Sequence, residues 1–322
     1  MVVASKNSHL SKVLDVVIPV YNDDSLLAET VNSLGSQVLP TGWSFHVHVV
    51  DDGSENEIFL KDINISSDKI TLHRHTVNKG RGAACNTGVR KGNGGLIYIL
   101  DSDCVLHNSH VLSSHIETLS EGNVSVSCGN IYVDSTSFWG KYQNEVALRR
   151  ERSFKGGDLA AFTTANCMMT RECFIEIGGF DEAFTQYGFE DRDLLLRLVS
   201  NQFEIRYCRE SSVEHKCDLS LNSVVGKLYK GGRYSSALFI EKHAVAYEKM
   251  HFVKADVRYS KGSLQLLVLL TKRIVWPMVK VFNFFLVKGV LPYWIAKNAV
   301  KYISGLVYLH GTSEAEVSSY ID

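Results

Sequence analysis

The sequence lacks the features that mark several protein classes. It has no run of about 18 uncharged apolar residues, which a helix needs in order to cross a membrane. Residues 1–12 are polar and lack the apolar stretch of a secretory signal peptide. The net charge is −1, so the chain has no overall positive field of the kind that nucleic-acid-binding proteins use. We therefore expect a cytoplasmic protein that binds no nucleic acid.

Cysteine pairs and nucleotide-loop glycine patterns are also missing. The seven cysteines are scattered without a C-x-x-C pair, which argues against a disulfide framework or a zinc site and indicates reduced thiols. They are Cys85, Cys104, Cys128, Cys167, Cys173, Cys208 and Cys217. The first apolar run is not followed by the G-x-G-x-x-G pattern of dehydrogenases, and the G-x-x-x-x-G-K-[ST] phosphate loop is absent. With 45% hydrophobic residues and four prolines, the composition is that of a globular protein.

Short apolar runs alternate with helix-length segments in the first two-thirds of the chain. Strands are expected at 14–20, 45–50, 70–73, 96–100, 124–132, 163–169 and 203–207, and helices at 23–36, 81–90, 138–152, 171–177 and 191–199. This alternation predicts βαβ units and an α/β fold whose mostly parallel sheet is flanked by helices. From residue 220 onward only helices are expected. The predicted division is an N-terminal extension (1–12), a catalytic domain (13–218) and a helical, basic and amphipathic C-terminal region (219–322).

Three polar clusters directly follow predicted strands. They are PVYN at 19–22, DDGS at 51–54 and DSD at 101–103. Ligands of open parallel sheets bind beyond the carboxyl ends of the strands, so the clusters are expected to converge on one edge.

The DSD segment predicts a divalent metal site. Asp101 and Asp103 would lie on the same side of an extended strand end, and oxygen ligands favour Mg²⁺ or Mn²⁺. Two acids at a strand end also commonly cap the next helix. His215, which follows the last predicted strand, could add an imidazole ligand, although a lone histidine is more often a packed or surface residue.

Two further features at this edge of the sheet are Asp52 and the basic loop at 78–82. Asp52, or alternatively Asp51, could accept hydrogen bonds from a uracil or ribose, although Asp-Gly-Ser is also ordinary turn chemistry. In the loop, Lys79, Arg81 and backbone amides at a helix start could bind a phosphate.

Two glycine-containing motifs, GGFDE at 178–182 and GFED at 188–191, would form the acceptor half of the site. Glu190 and Asp191 stand at a predicted helix start, where the helix dipole keeps a carboxylate ionised. An ionised carboxylate suits the general base of a single-displacement transfer, and an ordinary helix cap gives the same pattern.

Taken together, these motifs resemble the inverting glycosyltransferase family 2, whose members have the GT-A fold. The resemblance rests on PVYN, DDGS, NKGRGAACN at 78–86, DSD, GGFDE and FED, and it covers about residues 12–217. The Q-x-x-R-W motif of processive members is absent, so a non-processive, bacterial-type member is expected.

The resemblance implies a nucleotide-diphosphate sugar donor, usually UDP-linked, with Asp52 at the uridine, Asp191 as the base and Glu190 beside it on the acceptor. The donor-side residues are then Pro19, Tyr21, Asn22, Asp52, Lys79, Arg81, Asp101 and Ser102. The ligands of Mn²⁺ or Mg²⁺ are Asp103, Asp101 and His215, and the acceptor-side residues are Asn166, Gly179 and Phe189.

The C-terminal region has a biased charge. Between Asp256 and Glu314 there is no acid, whereas eight cationic residues stand among bulky apolar ones: Arg258, Lys261, Lys272, Arg273, Lys280, Lys288, Lys297 and Lys301. Basic amphipathic helices of this kind bind anionic membranes, which predicts a peripheral protein on the inner face of the cell membrane. Packing on the catalytic domain, or self-association into a homo-oligomer, would explain the same composition.

The sequence therefore predicts a metal-dependent hexosyl- or N-acetylhexosaminyl-transferase that acts on a glycan or lipid-linked acceptor in the synthesis of cell-surface polysaccharide or glycoconjugate. The alternatives are a catalytically inactive GT-A protein that binds sugar nucleotides or glycans, and a nucleotidyltransferase. The first is disfavoured because Asp101, Asp103, Glu190 and Asp191 are all present. The second is disfavoured because no glycine-rich loop follows the first strand.

Overall fold

The computed structural model describes residues 11–106, 108–158, 162–216, 219–260 and 262–315. Most of the predicted N-terminal extension, as well as Cys217 and Lys261, lies outside these ranges. The strands are β1 (Val13–Val20), β2 (Ser44–Asp51), β3 (Ile70–Arg74), β4 (Leu96–Leu100), β5 (Cys104–Leu106), β6 (Val124–Tyr132), β7 (Asn166–Thr170) and β8 (Glu204–His215). The α-helices are α1 (Leu27–Gly35), α2 (Arg81–Lys91), α3 (Val111–Ser120), α4 (Phe138–Lys155), α5 (Arg171–Glu176), α6 (Glu190–Ser200), α7 (Leu221–Lys230), α8 (Ser236–Glu248), α9 (Ser263–Thr271), α10 (Val275–Lys288) and α11 (Tyr293–Ser313). Short 3-10 helices cover Ser67–Lys69, His251–Ala255 and Val257–Tyr259, and a π-helix covers Gly231–Ser235.

The strands form one mixed sheet in the order β3-β2-β1-β4-β7-β6-β8-β5. Strands β3, β2, β1 and β4 are parallel, as are β6 and β8. The pairs β4–β7, β6–β7 and β5–β8 are antiparallel. The expected α/β sheet is confirmed, and its parallel part carries the strand ends on which the site prediction depends.

Both faces of the central strands are buried. In β1, Val16 and Ile18 pack into a core with α1 and α3, whereas Val17 packs into a second core with α2 and α5. The side chains of β4 likewise alternate between the two cores, with Tyr98 in the first and Ile97 in the second. Burial on both faces explains why these strands are continuous apolar runs.

Several boundaries differ from the sequence prediction. Helix α1 begins at Leu27 rather than near residue 23, because the Asp23 carboxylate accepts hydrogen bonds from Ser25 and forms a local turn. Strand β5 and helix α3 were not predicted, and β8 continues to His215 instead of ending near residue 207.

The chain divides into two units. The first comprises residues 1–134, 143–185 and 194–217 and holds the whole sheet. The second comprises 135–142, 186–193 and the chain from 218 onward, and its core is formed by α7, α10 and α11, with Val225, Val279 and Val300. Within the described part of the chain after Ser220 the regular structure is helical, and no described helix has the length and apolar character to span a bilayer. The boundary predicted at 218/219 stays a prediction.

Helix α2 packs closely on β1 at a glycine. A Cβ on Gly88 would lie 2.5 Å from Cγ1 of the buried Val17. We expect Gly88→Ala to lower the free energy of unfolding by about 1–3 kcal/mol, because overpacking outweighs the better helix propensity of alanine. In denaturant titrations the matched control is Gly226→Ala in α7, where an added Cβ meets nothing within 4 Å. Equal or higher stability of Gly88→Ala would contradict this packing.

Candidate active site

The carboxyl ends of β1 and β2 are joined by hydrogen bonds between the PVYN and DDGS segments. The strands run in parallel register, with Pro19 beside Val50. The amide of Asn22 donates to Oγ of Ser54 at 2.8 Å, and the side-chain oxygen of Asn22 accepts from the amide of Glu55 at 2.9 Å. The Tyr21 side chain is exposed. The structure therefore brings these two predicted donor segments together at one sheet edge.

Asp52 is buried, and its carboxylate holds the basic loop before α2. Its oxygens accept hydrogen bonds from the backbone amides of Lys79 (3.0 Å) and Gly80 (2.8 Å). Nδ1 of His75 lies 2.7 Å from the same carboxylate, and Nε2 of His75 is 2.9 Å from Oγ1 of Thr87. In this geometry Asp52 positions the loop, and direct contact with a uridine stays a prediction.

Asp51 is the other acid considered for this role. Its Oδ1 accepts a hydrogen bond from the amide of Ser54 at 2.8 Å, and its Oδ2 lies 3.3 Å from Nε of Arg74. Asp51 is 1% exposed and completes β2, as the sequence predicted.

Arg81, the first residue of α2, binds Asp101. Its Nε and Nη2 donate to Oδ1 of Asp101 at 2.9 and 2.7 Å, and its Nη1 donates to Oγ1 of Thr164 at 2.8 Å. The loop that Asp52 holds therefore delivers a guanidinium to the end of β4. Two side chains predicted to bind the diphosphate and its metal thus contact each other.

The DSD segment is a turn and not an extended strand end, which corrects the sequence prediction. The amide of Cys104 donates to the carbonyl of Asp101 at 3.1 Å, because β5 begins immediately after the segment. The carbonyl of Ser102 accepts from Oγ1 of Thr30 at 2.8 Å. Asp101 and Asp103 consequently meet different partners.

Asp103 lies against His215. Strand β5 pairs antiparallel with β8 and places Cys104 opposite His215, and the amide of Lys216 donates to the carbonyl of Asp103 at 3.0 Å. Nε2 of His215 is 3.1 Å from Oδ2 of Asp103. His215 is the last residue of β8. The sequence analysis had placed it after the last strand, and this prediction was wrong.

The predicted set of three metal ligands is not assembled among the described residues. No group of three or more His, Cys, Asp or Glu side chains within them has the arrangement to hold a metal ion. Of the three predicted ligands, Asp103 and His215 contact each other, and Oδ1 of Asp101 accepts hydrogen bonds from Arg81. The metal-binding role of Asp101 stays a prediction.

The GGFDE turn is clamped by two residues that the sequence analysis did not select, Asn86 and Arg197. Oδ1 of Asn86 accepts from the amide of Phe180 at 2.9 Å, and its Nδ2 donates to the carbonyl of Phe180 at 2.8 Å. Arg197 donates to the carbonyl of Gly179 at 2.6 Å. Gly179 has φ +69°, and a Cβ there would lie 2.6 Å from Oδ1 of Asn86. Asn86 is the last residue of the NKGRGAACN motif, and its place in that motif is the feature of the sequence from which its role could have been suspected.

Asn166 is buried inside the sheet. Its Oδ1 accepts from the hydroxyl of Tyr98 (2.7 Å) and from Nε2 of His115 (3.0 Å), and its Nδ2 donates to the carbonyls of Asn130 and Ser211 (each 2.9 Å). Burial lowers the pKa of His115 to about 4, so its imidazole is neutral at physiological pH. These bonds link β7 to its neighbours, and the acceptor-side role of Asn166 stays a prediction.

In the second unit, Phe189, Glu190 and Asp191 stand at the start of α6. Phe189 has φ +70° and packs on the rings of Phe239 and Phe252, with centroids 4.9 and 5.4 Å away. Oδ1 of Asp193 lies 2.8 Å from Nε2 of His243. The first turn of α6 is thereby fixed on the C-terminal helices, and His243 is a further residue that the sequence did not reveal.

Comparison with known proteins identifies two matching family models. The model for glycosyl transferase family 2 matches residues 15–178, which is just over half of the chain. A second, described as the N-terminal domain of galactosyltransferase, matches residues 154–216.

Two curated relatives resemble part of the chain. Glycosyltransferase AglE of Haloferax volcanii is 25% identical over 172 residues, which cover 52% of this chain and 55% of the relative. Validoxylamine A glucosyltransferase of Streptomyces hygroscopicus subsp. limoneus is 27% identical over 230 residues, which cover 62% of this chain and 50% of the relative. The chain thus spans about half the length of each of these relatives.

Two solved structures share the fold. The mannosyltransferase PcManGT from Pyrobaculum calidifontis, solved with GDP-Man and Mn²⁺, has 16% identity and a TM-score of 0.51, covering 95% of this chain and 87% of its own. GalNAc-T7, solved with UDP, GalNAc and Mn²⁺, has 17% identity and a TM-score of 0.50, covering 71% of this chain and 48% of its own. The family match and the shared architecture confirm the resemblance in the motifs: the chain belongs to glycosyl transferase family 2 and has the GT-A fold.

Proposed function

We propose that this protein transfers a sugar from a nucleotide-diphosphate donor, UDP-linked in the first instance, to a hydroxyl of a glycan or lipid-linked acceptor, with inversion at the anomeric carbon. The observation that carries the proposal is the contact of Asp103 with His215 beside the Arg81–Asp101 pair at the end of β4. The group combines possible metal ligands with a guanidinium suited to phosphate, within a family that transfers sugars.

A divalent cation, Mn²⁺ or Mg²⁺, fits Asp103 and His215 when the donor supplies further ligands. Such ions are commonly held by one or two carboxylates together with substrate phosphates, so a set of three protein ligands is not required. Bound there, the cation would offset the charge that develops on the leaving diphosphate. An imidazole favours transition metals, whereas Mg²⁺ prefers oxygen ligands, so Mn²⁺ is the better candidate.

The chain's own groups then divide the work. Asp52 holds the loop that presents Arg81, whose guanidinium contacts Asp101 and would also bind the donor phosphates. Asp191 takes the proton of the acceptor hydroxyl, and Glu190 orients that acceptor. The acceptor oxygen bonds to the anomeric carbon as the bond from that carbon to the diphosphate oxygen breaks, and the nucleoside diphosphate leaves with the electron pair.

A donor screen tests the proposed function as a whole. The protein is incubated with Mn²⁺ and each common UDP- or GDP-sugar, because one solved neighbour holds UDP and another holds GDP-Man. Release of free nucleotide from one donor supports transfer, whereas tight binding without release from any donor would support a non-catalytic binding protein.

The metal assignment predicts a response to chelation. Activity should disappear in EDTA and return more fully with Mn²⁺ than with Mg²⁺. Asp103→Ala should lower kcat by at least about 100-fold because the charge on the leaving group is then less well offset. Glu172→Ala, which removes an exposed acid of α5, is the control and should keep normal turnover. Full turnover in chelator would contradict the metal assignment.

The assignment of Asp191 as the base predicts an effect on chemistry without an effect on donor binding. Asp191→Asn keeps the shape of the side chain and removes its basicity, so kcat should fall by about 10²–10⁴-fold while donor affinity is retained. Steady-state kinetics and donor titration measure the two quantities separately. Near-normal kcat in the variant would leave Asp191 as a helix cap.

We further propose that α9 to α11 attach the protein to an anionic lipid surface, as expected for a peripheral protein of the inner membrane face. None of the residues of α9 is buried, and Leu269, Val287 and Trp294 are 71%, 74% and 67% exposed. Lysine and arginine accompany these side chains, and the segment between Asp256 and Glu314 has no acid to oppose them. Apolar contact and headgroup attraction would then act together.

Point substitutions test the lipid surface better than truncation, because α10 and α11 contribute Val279 and Val300 to the core of their unit. The double substitution Leu269→Glu and Leu270→Glu should weaken co-sedimentation with anionic vesicles by at least about tenfold. The variant loses apolar contact with the lipid, and its new negative charges oppose the attraction to anionic headgroups.

The matched control is Ile175→Glu in α5, a side chain that is 64% exposed elsewhere, and it should leave vesicle binding unchanged. Binding should also fall in high salt. Absence of lipid binding by the wild type, with a dimer in light scattering, would show instead that these helices mediate self-association.

A further inference from the structure

A cavity lies in the first unit, at the amino-terminal ends of β1 and β2 and beside the neighbouring strand β3. Its volume is about 570 Å³, and its walls include these strands and the end of α2. Because parallel strands present their carboxyl ends at the other edge, this cavity lies at the opposite end of β1 and β2 from the candidate active site. The proposed transfer reaction does not use it.

The alternation of side chains along β2 and β3 gives this cavity its chemistry. Val47 and Val49 point into the core with α1, so His46 and His48 point to the opposite face. His73 of β3 lies on the same face: Nδ1 of His48 is 3.2 Å from its Nε2. The rings of His46 and His48 are 4.8 Å apart, and those of His48 and His73 are 5.5 Å apart.

This face is open because α2 ends before it can cover the strands. The helix ends at Lys91, and the following Gly92 passes directly over Asp15, where a Cβ would lie 2.1 Å from the carboxylate. A sheet face left without a helix has no apolar partner, so polar side chains occupy it.

Asp15 is the buried acid of the cavity, and its charge is already offset. The side chain is 1% exposed and accepts hydrogen bonds from Arg171 and from the amide of Gly94 (2.7 Å). Burial raises the pKa of Asp15, but His48, Gly94 and Arg171 outweigh burial and hold the pKa below its usual value. Asp15 is therefore ionised, and Arg171 is the cation that offsets its charge.

Only one hydrogen atom fits between Nδ1 of His48 and Nε2 of His73. Nε2 of His48 faces Oδ1 of Asp15 at 3.4 Å and donates to it, which leaves Nδ1 of His48 as an acceptor for the Nε2 hydrogen of His73. A proton added to this pair therefore binds to Nδ1 of His73, the ring nitrogen that lies outside the contact. A second proton would place two N–H groups face to face and break the contact.

The remaining charged groups around the imidazoles are Lys69, Lys91 and Asp68. Asp68 lies beside Lys69 and accepts a hydrogen bond from Ser66. Burial lowers the pKa of His73, and positive charge on His48, Lys91 and His46 lowers it further. Among the residues that line the cavity, Asp15 is offset by Arg171 and Asp68 lies beside Lys69, so Lys91 and a protonated imidazole add positive charge that a bound anion would offset.

We propose that this cavity binds a phosphate group, free or carried by a phosphorylated small molecule, and that His73 takes up a proton on binding. Lys91 supplies a fixed positive charge, and the hydroxyl of Thr71, which lies 2.9 Å from Nε2 of His46, supplies a further polar group. The volume exceeds what a bare ion needs, which leaves room for the small molecule.

Sulfate is the suitable first probe, because it is a tetrahedral dianion whose charge is constant between pH 6 and 8. Calorimetric titration is done on the full chain with the donor site saturated by UDP and Mn²⁺. Binding should be about tenfold tighter at pH 6 than at pH 8, since protonated His73 is favoured at the lower pH. Titrations in two buffers of different ionisation enthalpy should show uptake of a proton.

Three variants locate the site. His73→Gln and Lys91→Gln should each weaken sulfate binding at pH 6, and only His73→Gln should remove the pH dependence. His110→Gln, at an exposed histidine before α3, should change neither. Lys91 is exposed, so its variant is expected to fold even if His73→Gln does not. Nucleotide release by Lys91→Gln should be normal, which separates this test from that of the proposed transfer.

A comparison of inorganic phosphate with a hexose phosphate distinguishes a free ion from a phosphorylated small molecule. Tighter binding of either one, sensitive to Lys91→Gln, supports the proposal and identifies the ligand type. Sulfate binding that is independent of pH, or unchanged in both the His73 and Lys91 variants, would overturn it.

Discussion

The candidate active site depends on the buried carboxylate of Asp52. By accepting hydrogen bonds from the amides of Lys79 and Gly80, it fixes the loop at the point where α2 begins. Gly80 has φ +93°, and a Cβ there would lie 2.8 Å from the carbonyl of Phe184, so the loop also needs a glycine at this point. Because the helix start is fixed, Arg81 reaches Asp101 at the end of β4. Without Asp52, the amides of Lys79 and Gly80 would lose their hydrogen-bond acceptor, and the position of the Arg81 guanidinium would no longer be fixed.

The second constraint is the pairing of β5 with β8, which brings His215 to Asp103. Strand β5 is apolar but has three residues, and β8 contains charged residues such as Glu210 and Glu214, so neither has both the length and the apolar pattern by which strands are recognised. The pairing is a long-range contact between segments about a hundred residues apart. A local pattern cannot reveal such a contact, and for this reason His215 was expected after the last strand instead of within it.

Sequence was sufficient where a local pattern and a local structure coincide. The apolar runs of β1, β2 and β4 predicted their strands closely, and the polar clusters after them do lie at one sheet edge. It was insufficient where tertiary partners decide. The contact of Asp101 with Arg81 was not foreseen, and nothing near residue 75 or 243 indicated that His75 would meet Asp52 or that His243 would meet Asp193. Those pairings are set by packing between elements distant in sequence.

The two ends of β1 and β2 illustrate one principle with opposite results. At the carboxyl ends, polar side chains follow the strands, and loops arrange them around the candidate active site. At the amino ends, polar side chains lie within the strands, on the part of the sheet face that extends beyond the end of α2. Such residues cost stability unless they are paired, and Asp15 is paired with Arg171, Gly94 and His48. His48 is 5% exposed, and its two ring nitrogens are committed to Asp15 and His73. A valine at this position would avoid the polar burial, so stability alone does not account for the imidazole, in line with the anion site proposed for this cavity.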